Sequence, residues 1–147
     1  MKTERALVDT GPIVAILRES DSNHLACLEA LKRIRRPAPT CWPVVTEADW
    51  ILRKDRKAVK ELFRFFEQRV FQVLTIESSA TAWLSAFFER FSDHEPQLAD
   101  AALVYLAERE GIDAVFTVDV TDFSIYRTSS GMALRVLPEP TQPLRRK

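Results

Sequence analysis

A chain of 147 residues that is 46% hydrophobic can bury one domain-sized core. Its 21 Lys and Arg balance 21 Asp and Glu, which argues against a strongly basic nucleic-acid wrapper but leaves room for local basic patches. His24, His94, Cys27 and Cys41 show no zinc or redox spacing, no apolar run could span a bilayer, and no signal-like segment precedes the first strand. Reduced thiols, a cytoplasmic location and no membrane contact are therefore expected.

Arg5-Ala6-Leu7-Val8 reads as a first strand ending at Asp9. Thr10-Gly11-Pro12 opens a helix, with Pro12 at a favoured early position before Ile13, Val14, Ile16 and Leu17. The ordinary role of such an Asp9 is a helix N-cap. Leu25, Leu28, Leu31 and Ile34 predict an amphipathic helix ending in Lys32-Arg33-Ile34-Arg35-Arg36, cations suited to a last helical turn or to a phosphate-contacting rim. Pro37-Ala38-Pro39 breaks that helix. Thr40-Cys41-Trp42 predicts a short strand, and a helix from about Pro43 puts Val44, Glu47, Ala48 and Ile51 on one face. Glu47 is out of place on that apolar stripe unless it snorkels outward. Asp49 and Asp55 fall off the stripe and read as solvated.

The run from Arg53 to Lys57, with Lys60, reads as a wet cationic surface. A helix carrying Val59, Leu62, Phe63 and Phe66 leads to a strand over Val70–Leu74. From Ser78 comes an aromatic stripe of Trp83, Leu84, Phe87, Phe88 and Phe91. Such a stripe is core first and partner surface second; with Phe65 it raises the expectation of a homodimer or a bound helix.

Leu98 to Phe123 is the most informative stretch. A helix with apolar Ala99, Leu103, Leu106 and Ala107 stops at Gly111, and Ala114–Val118 follows as an unbroken apolar strand. Asp119 and Asp122 lie just past its end. Asp100 sits on or beside the inward stripe of its helix with no Lys or Arg one turn away, an expensive position without a partner. Ser129-Ser130-Gly131 is a turn before a last strand, Leu134–Leu137. The domain is expected over 1–137, with a proline- and arginine-rich tail at 138–147.

Alternating strands and helices predict an α/β fold with a central, mainly parallel sheet, whose ligands gather at the carboxyl ends of the strands. Asp9 and Asp119 end two strands, and Glu47 and Asp100 could approach the same edge. Carboxylates meeting there could not all ionise without a cation. An all-oxygen ligand set selects Mg²⁺ or Mn²⁺. With no thiol, imidazole or serine triad as nucleophile, the economical chemistry is metal-assisted phosphodiester hydrolysis, with Asp100 or Glu47 as base. Thr10 and Thr117 offer hydroxyls to a water or a phosphate oxygen, although Thr117 also suits a plain strand position.

Four segments carry a resemblance: Leu7-Val8-Asp9-Thr10-Gly11-Pro12, Val44-Val45-Thr46-Glu47, Leu98-Ala99-Asp100-Ala101-Ala102-Leu103, and Thr117-Val118-Asp119-Val120-Thr121-Asp122-Phe123. In this order and spacing the chain resembles PIN-domain ribonucleases, and among them VapC-type toxins of toxin–antitoxin pairs. The resemblance implies a three-layer α/β/α fold and a Mg²⁺- or Mn²⁺-dependent endoribonuclease. It also implies an acidic site of Asp9, Glu47, Asp100 and Asp119 with Asp122 as an additional carboxylate or metal ligand, an RNA substrate, a cognate antitoxin and a homodimer. One departure is Val120-Thr121, where many relatives carry a basic residue. Two competing readings are a PIN nuclease with a housekeeping RNA or DNA substrate and no antitoxin, and a catalytically silent α/β binding module. The silent module requires the four acids to be scattered in space.

Overall fold

Five short apolar strands and seven helices alternate through the computed structural model, which describes residues 2–139. The strands are β1 (Leu7–Val8), β2 (Ala38–Thr40), β3 (Phe71–Val73), β4 (Ala114–Phe116) and β5 (Arg135–Leu137). The helices are α1 (Thr10–Leu17), α2 (His24–Leu31), α3 (Trp42–Leu52), α4 (Arg56–Glu67), α5 (Thr81–Arg90), α6 (Leu98–Glu110) and α7 (Val120–Ile125). Every residue of β1, β2 and β4 is buried, as strands covered on both faces must be. The arrangement is the expected three-layer α/β/α fold.

All the strand pairs are parallel. One ladder runs β1-β4-β5, with Val8 opposite Phe116 and Phe116 opposite Leu137; the other joins β2 to β3. Between β1 and β2 there is no continuous ladder, and Pro39 supplies a reason. The amide of Ala38 donates to Val70 on the β3 side, so alternation turns position 39 toward β1, where proline has no N–H to give. Two other contacts close the seam. A parallel bridge pairs Glu4 with Ile34, and the fully buried Thr40 hydroxyl donates to the Val8 carbonyl at 2.8 Å. The chain thus leaves β1 for β2 on one side while β4 lies on the other. That reversal opens a crevice at the carboxyl end of β1, the usual ligand position in such sheets.

Several local expectations are corrected. The second helix ends at Leu31 and buries Cys27, Ala30 and Leu31, while Leu25 is 75% exposed. Ile34 leaves the helix because its backbone is needed for the bridge to Glu4, so most of the Lys32–Arg36 cations lie beyond the last turn. The strand expected at Thr40–Trp42 falls earlier, at Ala38–Thr40; Cys41 is the N-cap of α3 and Trp42 is its first residue, 56% exposed. Asp55 is exposed, as expected, and in addition caps α4 by accepting from the Ala58 amide. The strand expected over Ala114–Val118 stops at Phe116, since the chain must turn to present Asp119 as the N-cap of α7.

The aromatic stripe of α5 packs on the core, with Trp83, Leu84 and Phe88 half-buried along its edge. Phe87 and Phe91 are buried, and Trp83 stacks on Phe87 at 5.5 Å while donating its indole N–H to Glu108. Gly111 ends α6 in the left-handed region, φ +66°. Among the described residues, no helix is long and apolar enough to cross a membrane. Of the expected tail at 138–147, residues 140–147 lie outside the described residues.

The seam makes a testable claim. Thr40→Val keeps the shape of the side chain but removes the donor to the Val8 carbonyl, and is expected to destabilise the fold by about 1–2 kcal/mol in urea unfolding. Unchanged stability would show that this bond does not hold the two half-sheets together.

Candidate active site

Parallel register brings the first and fourth acidic segments together. Because Val8 lies opposite Phe116, the next residues, Asp9 and Thr117, face each other where the strands end. The Thr117 hydroxyl donates to Asp9 Oδ2 at 2.8 Å and accepts from the Asp119 amide at 2.9 Å. Thr117 is only 1% exposed. Its hydroxyl thus links the Asp9 carboxylate to the backbone of Asp119. Asp9 also caps α1, its Oδ1 accepting from the Thr10 amide at 2.8 Å, so the ordinary role and the cluster role coexist in one side chain.

Thr10 carries the connection onward. Its hydroxyl donates to Glu47 Oε2 at 2.8 Å, tying the start of α1 to the middle of α3. At the other end, Asp119 Oδ1 accepts from the Asp122 amide at 3.1 Å. Asp122, Asp119, Thr117, Asp9, Thr10 and Glu47 thus form one chain of polar contacts drawn from three separated segments. Asp100 arrives from α6, where its Oδ2 accepts from the Gln97 amide in a capping box. This local role is legible in the Gln97-x-x-Asp100 spacing but was not among the expectations. A cleft of about 420 Å³ is walled by Asp9, Thr10, Glu47, Asp100 and Asp119. Asp122 reaches the group through Asp119 rather than from the cleft wall.

Negative charge dominates the site. Burial, opposed by the Thr10 and Thr117 hydrogen bonds and reinforced by Asp100 and Glu47, pushes Asp9 up to about 6. Asp100 is raised as well, first by burial and then by repulsion from Glu47, Asp122 and Asp119, against the Gln97 amide. Asp122 is raised chiefly by its hydrogen-bonded contact with Asp119. None of the five carboxylates is in a salt bridge among the described residues. Arg18 stands at the cleft rim, but its guanidinium donates to the Ile51 carbonyl. Burial, with help from Asp9 and Glu47, pushes the Cys41 thiol up to about 12, which leaves it protonated and removes the one nearby sulfur as a nucleophile.

Among the described residues, no three His, Cys, Asp or Glu side chains are gathered closely enough to grip an ion as they stand. The expected metal cage is therefore not preformed: Asp9, Glu47, Asp100 and Asp119 line one cleft but are turned onto amide and hydroxyl donors. The oxygen-only donor set, mutual repulsion and lack of a salt-bridge partner among the described residues nevertheless fit a hard divalent cation. Gly11 was met in the sequence only as part of a helix start, yet a Cβ there would lie 2.3 Å from Val118 Cγ2. Its missing side chain lets the Val118–Asp119 turn close against α1.

Residues 6–127 match the PIN domain. The chain belongs to the PIN-domain family. No curated protein matches it. Among solved structures, this PIN domain is similar to Mycobacterium tuberculosis VapC20, described as a sarcin-ricin loop cleaving toxin, with a TM-score of 0.71 and 17% identity over 79% of this chain and 91% of that one. At that identity the likeness establishes the fold. Family membership supports a nuclease, a hydrolase of phosphodiester bonds. The silent-module reading required scattered carboxylates, and four of them wall a single cleft in this PIN domain.

A carboxyl whose pKa is raised by folding adds stability that is complete below its unfolded value, about 3.9, and lost as pH rises through the folded value. In metal-free buffer, Asp9→Asn is therefore expected to stabilise the protein at pH 8 by on the order of 1–3 kcal/mol, with the gain shrinking as pH falls from about 6 to about 4. Urea unfolding across that range checks it. A gain independent of pH would show that the Asp9 charge is not its source.

Proposed function

We propose that this PIN domain is a Mg²⁺- or Mn²⁺-dependent endoribonuclease and the toxin of a toxin–antitoxin pair. The observation that carries the reading is the meeting of Asp9, Glu47, Asp100 and Asp119, from four distant segments, in one cleft with no salt-bridge partner among the described residues. Asp9, Asp100 and Asp119, with Asp122 behind them, would hold the cation. When bound, it lowers the pKa of a water and stabilises the departing oxygen of the phosphodiester.

The chain's own residues supply the rest. Thr117 holds Asp9 and Asp119 in a fixed relation, and Thr10 orients Glu47. Asp100, raised by burial and by its acidic neighbours, or Glu47, takes the proton of the attacking water. The water oxygen bonds to phosphorus, the bond to the leaving ribose oxygen breaks, and that oxygen leaves with a proton. Neutral net charge makes local contacts rather than bulk attraction the basis of RNA choice.

The toxin assignment is supported by the likeness in fold to VapC20 together with the four-segment resemblance. It brings a cognate antitoxin, a homodimer and a cytoplasmic location as further parts of the proposal. The apolar side chains of α3 and α4, Trp42, Trp50, Ile51 and Phe63, are more exposed than the half-buried α5 stripe and are the better partner surface.

Cleavage of single-stranded RNA by the purified protein should require Mg²⁺ or Mn²⁺ and stop in EDTA. Asp100→Asn is expected to lower the rate on the order of 10²–10⁴-fold while leaving the fold intact, as read by circular dichroism. Cleavage that survives both EDTA and Asp100→Asn overturns the mechanism. Growth arrest on expression, relieved by a small protein encoded beside it, is the expected mark of the toxin; a metal-dependent nuclease without that effect would be a housekeeping enzyme.

A further inference from the structure

The carboxylate cleft has a cation on its wall. Among the described residues that line it, Arg18 is the only Lys, Arg or His. It is half-buried and caps the C-terminal end of α1; at about 1.5 Å per residue, that helix sets it roughly 13 Å from Asp9. Its guanidinium is fixed by one bond, an N–H donated to the Ile51 carbonyl in the last turn of α3 at 3.3 Å. A guanidinium has further N–H donors in the same plane, and they remain uncommitted among the described residues.

The two acids best placed to pair with Arg18 have other donors. Asp21 follows in the same turn, its amide donating to the Arg18 carbonyl, but its Oδ1 accepts from the Asn23 amide at 2.8 Å. Glu47 stands one helical turn before Ile51 and accepts from the Thr10 hydroxyl instead. Arg18 forms no salt bridge among the described residues. Arg53 supplies a contrast at the same end of α3. Its guanidinium donates to the Trp50 carbonyl at 2.7 Å and lies 3.9 Å over the Trp50 ring, so its own helix occupies it. Arg18 reaches the cleft from a different helix, with one long bond and a charge left over.

We infer that Arg18 is a substrate-binding residue that grips an RNA phosphate next to the scissile one and holds the strand at the mouth of the cleft. The inference rests on the ribonuclease reading of the site. A phosphodiester entering the cleft meets ionised carboxylates, and a single divalent cation leaves that group net negative. A guanidinium at the rim offsets part of this repulsion, and its planar fork matches two phosphate oxygens. Its separation from Asp9 along α1 assigns it a neighbouring phosphate rather than the reacting one. Asn23 and Thr10 gain a purpose as well, since by engaging Asp21 and Glu47 they leave the guanidinium available.

The test follows cleavage of a single-stranded RNA oligonucleotide in Mn²⁺ by the natural chain, Arg18→Gln and Arg18→Lys at several KCl concentrations. Urea unfolding and Mn²⁺ calorimetry are run on all three. A grip on a flanking phosphate holds ground and transition states alike, so Arg18→Gln is expected to raise KM on the order of 10-fold with kcat nearly unchanged. Loss of one phosphate contact should also flatten the dependence of log(kcat/KM) on log[KCl] by about 0.7, and Arg18→Lys should restore most of that slope. Mn²⁺ affinity should be no weaker than in the natural chain. Unchanged KM and salt slope in Arg18→Gln overturn the inference, and a loss of stability beside them would make Arg18 a tie between α1 and α3. A fall in kcat or in Mn²⁺ affinity with KM unchanged also overturns it. If the natural chain cleaves no RNA, the ribonuclease reading fails and this inference falls with it, whereas natural cleavage that Arg18→Gln leaves untouched defeats the inference alone.

Discussion

The Thr117 hydroxyl, buried between Asp9 and the Asp119 amide, is the contact on which the site depends. It exists because β1 and β4 are parallel neighbours in a register that sets Val8 beside Phe116. A one-residue slip would turn every side chain of β1 to the other face and separate Asp9 from Thr117. Buried apolar side chains on both faces of these strands make such a slip costly. Core packing thereby specifies the position of a carboxylate at the strand end to within hydrogen-bonding distance.

Around that contact the fold accumulates carboxylates that form no salt bridge among the described residues. Each acid has a local structural role: Asp9 and Asp119 cap helices, Asp100 closes a capping box, and Glu47 accepts from Thr10. These donors offset part of the desolvation and repulsion, and the rest remains as raised pKa values at Asp9 and Asp100. Such a site opposes the stability of the protein that contains it, a common relation between activity and stability. These local partners keep the tension tolerable, since Asp9, Asp100 and Asp119 each find a backbone donor and Glu47 finds the Thr10 hydroxyl without a cation.

Much of this was visible in the chain. Asp100 on an apolar helix face, Glu47 on another, and Asp9 and Asp119 just past two apolar runs mark the acidic positions without any coordinates. Four of the five strands fall within the apolar runs that suggested them, and β2 lies two residues earlier than expected. Errors came where a residue answers to two demands. Ile34 completes a helical stripe in the sequence, but its backbone bridges Glu4 in the fold. Ala38-Pro39 reads as punctuation and is nevertheless strand, because the missing amide falls on the side of the sheet where no ladder forms.

The amino-acid sequence by itself determined the alternation of strand and helix, the four acidic segments and their oxygen-only chemistry, because apolar periodicity and ligand type are local properties. Only the tertiary structure decided that Thr117 ties the Asp9 carboxylate to the Asp119 backbone and that Gly11 makes room for Val118. The reason lies in distance along the chain. Thr117 and Asp9 are 108 residues apart, and Glu47 is 37 from Thr10. Such pairs are created by strand register and helix packing, which no window of sequence contains.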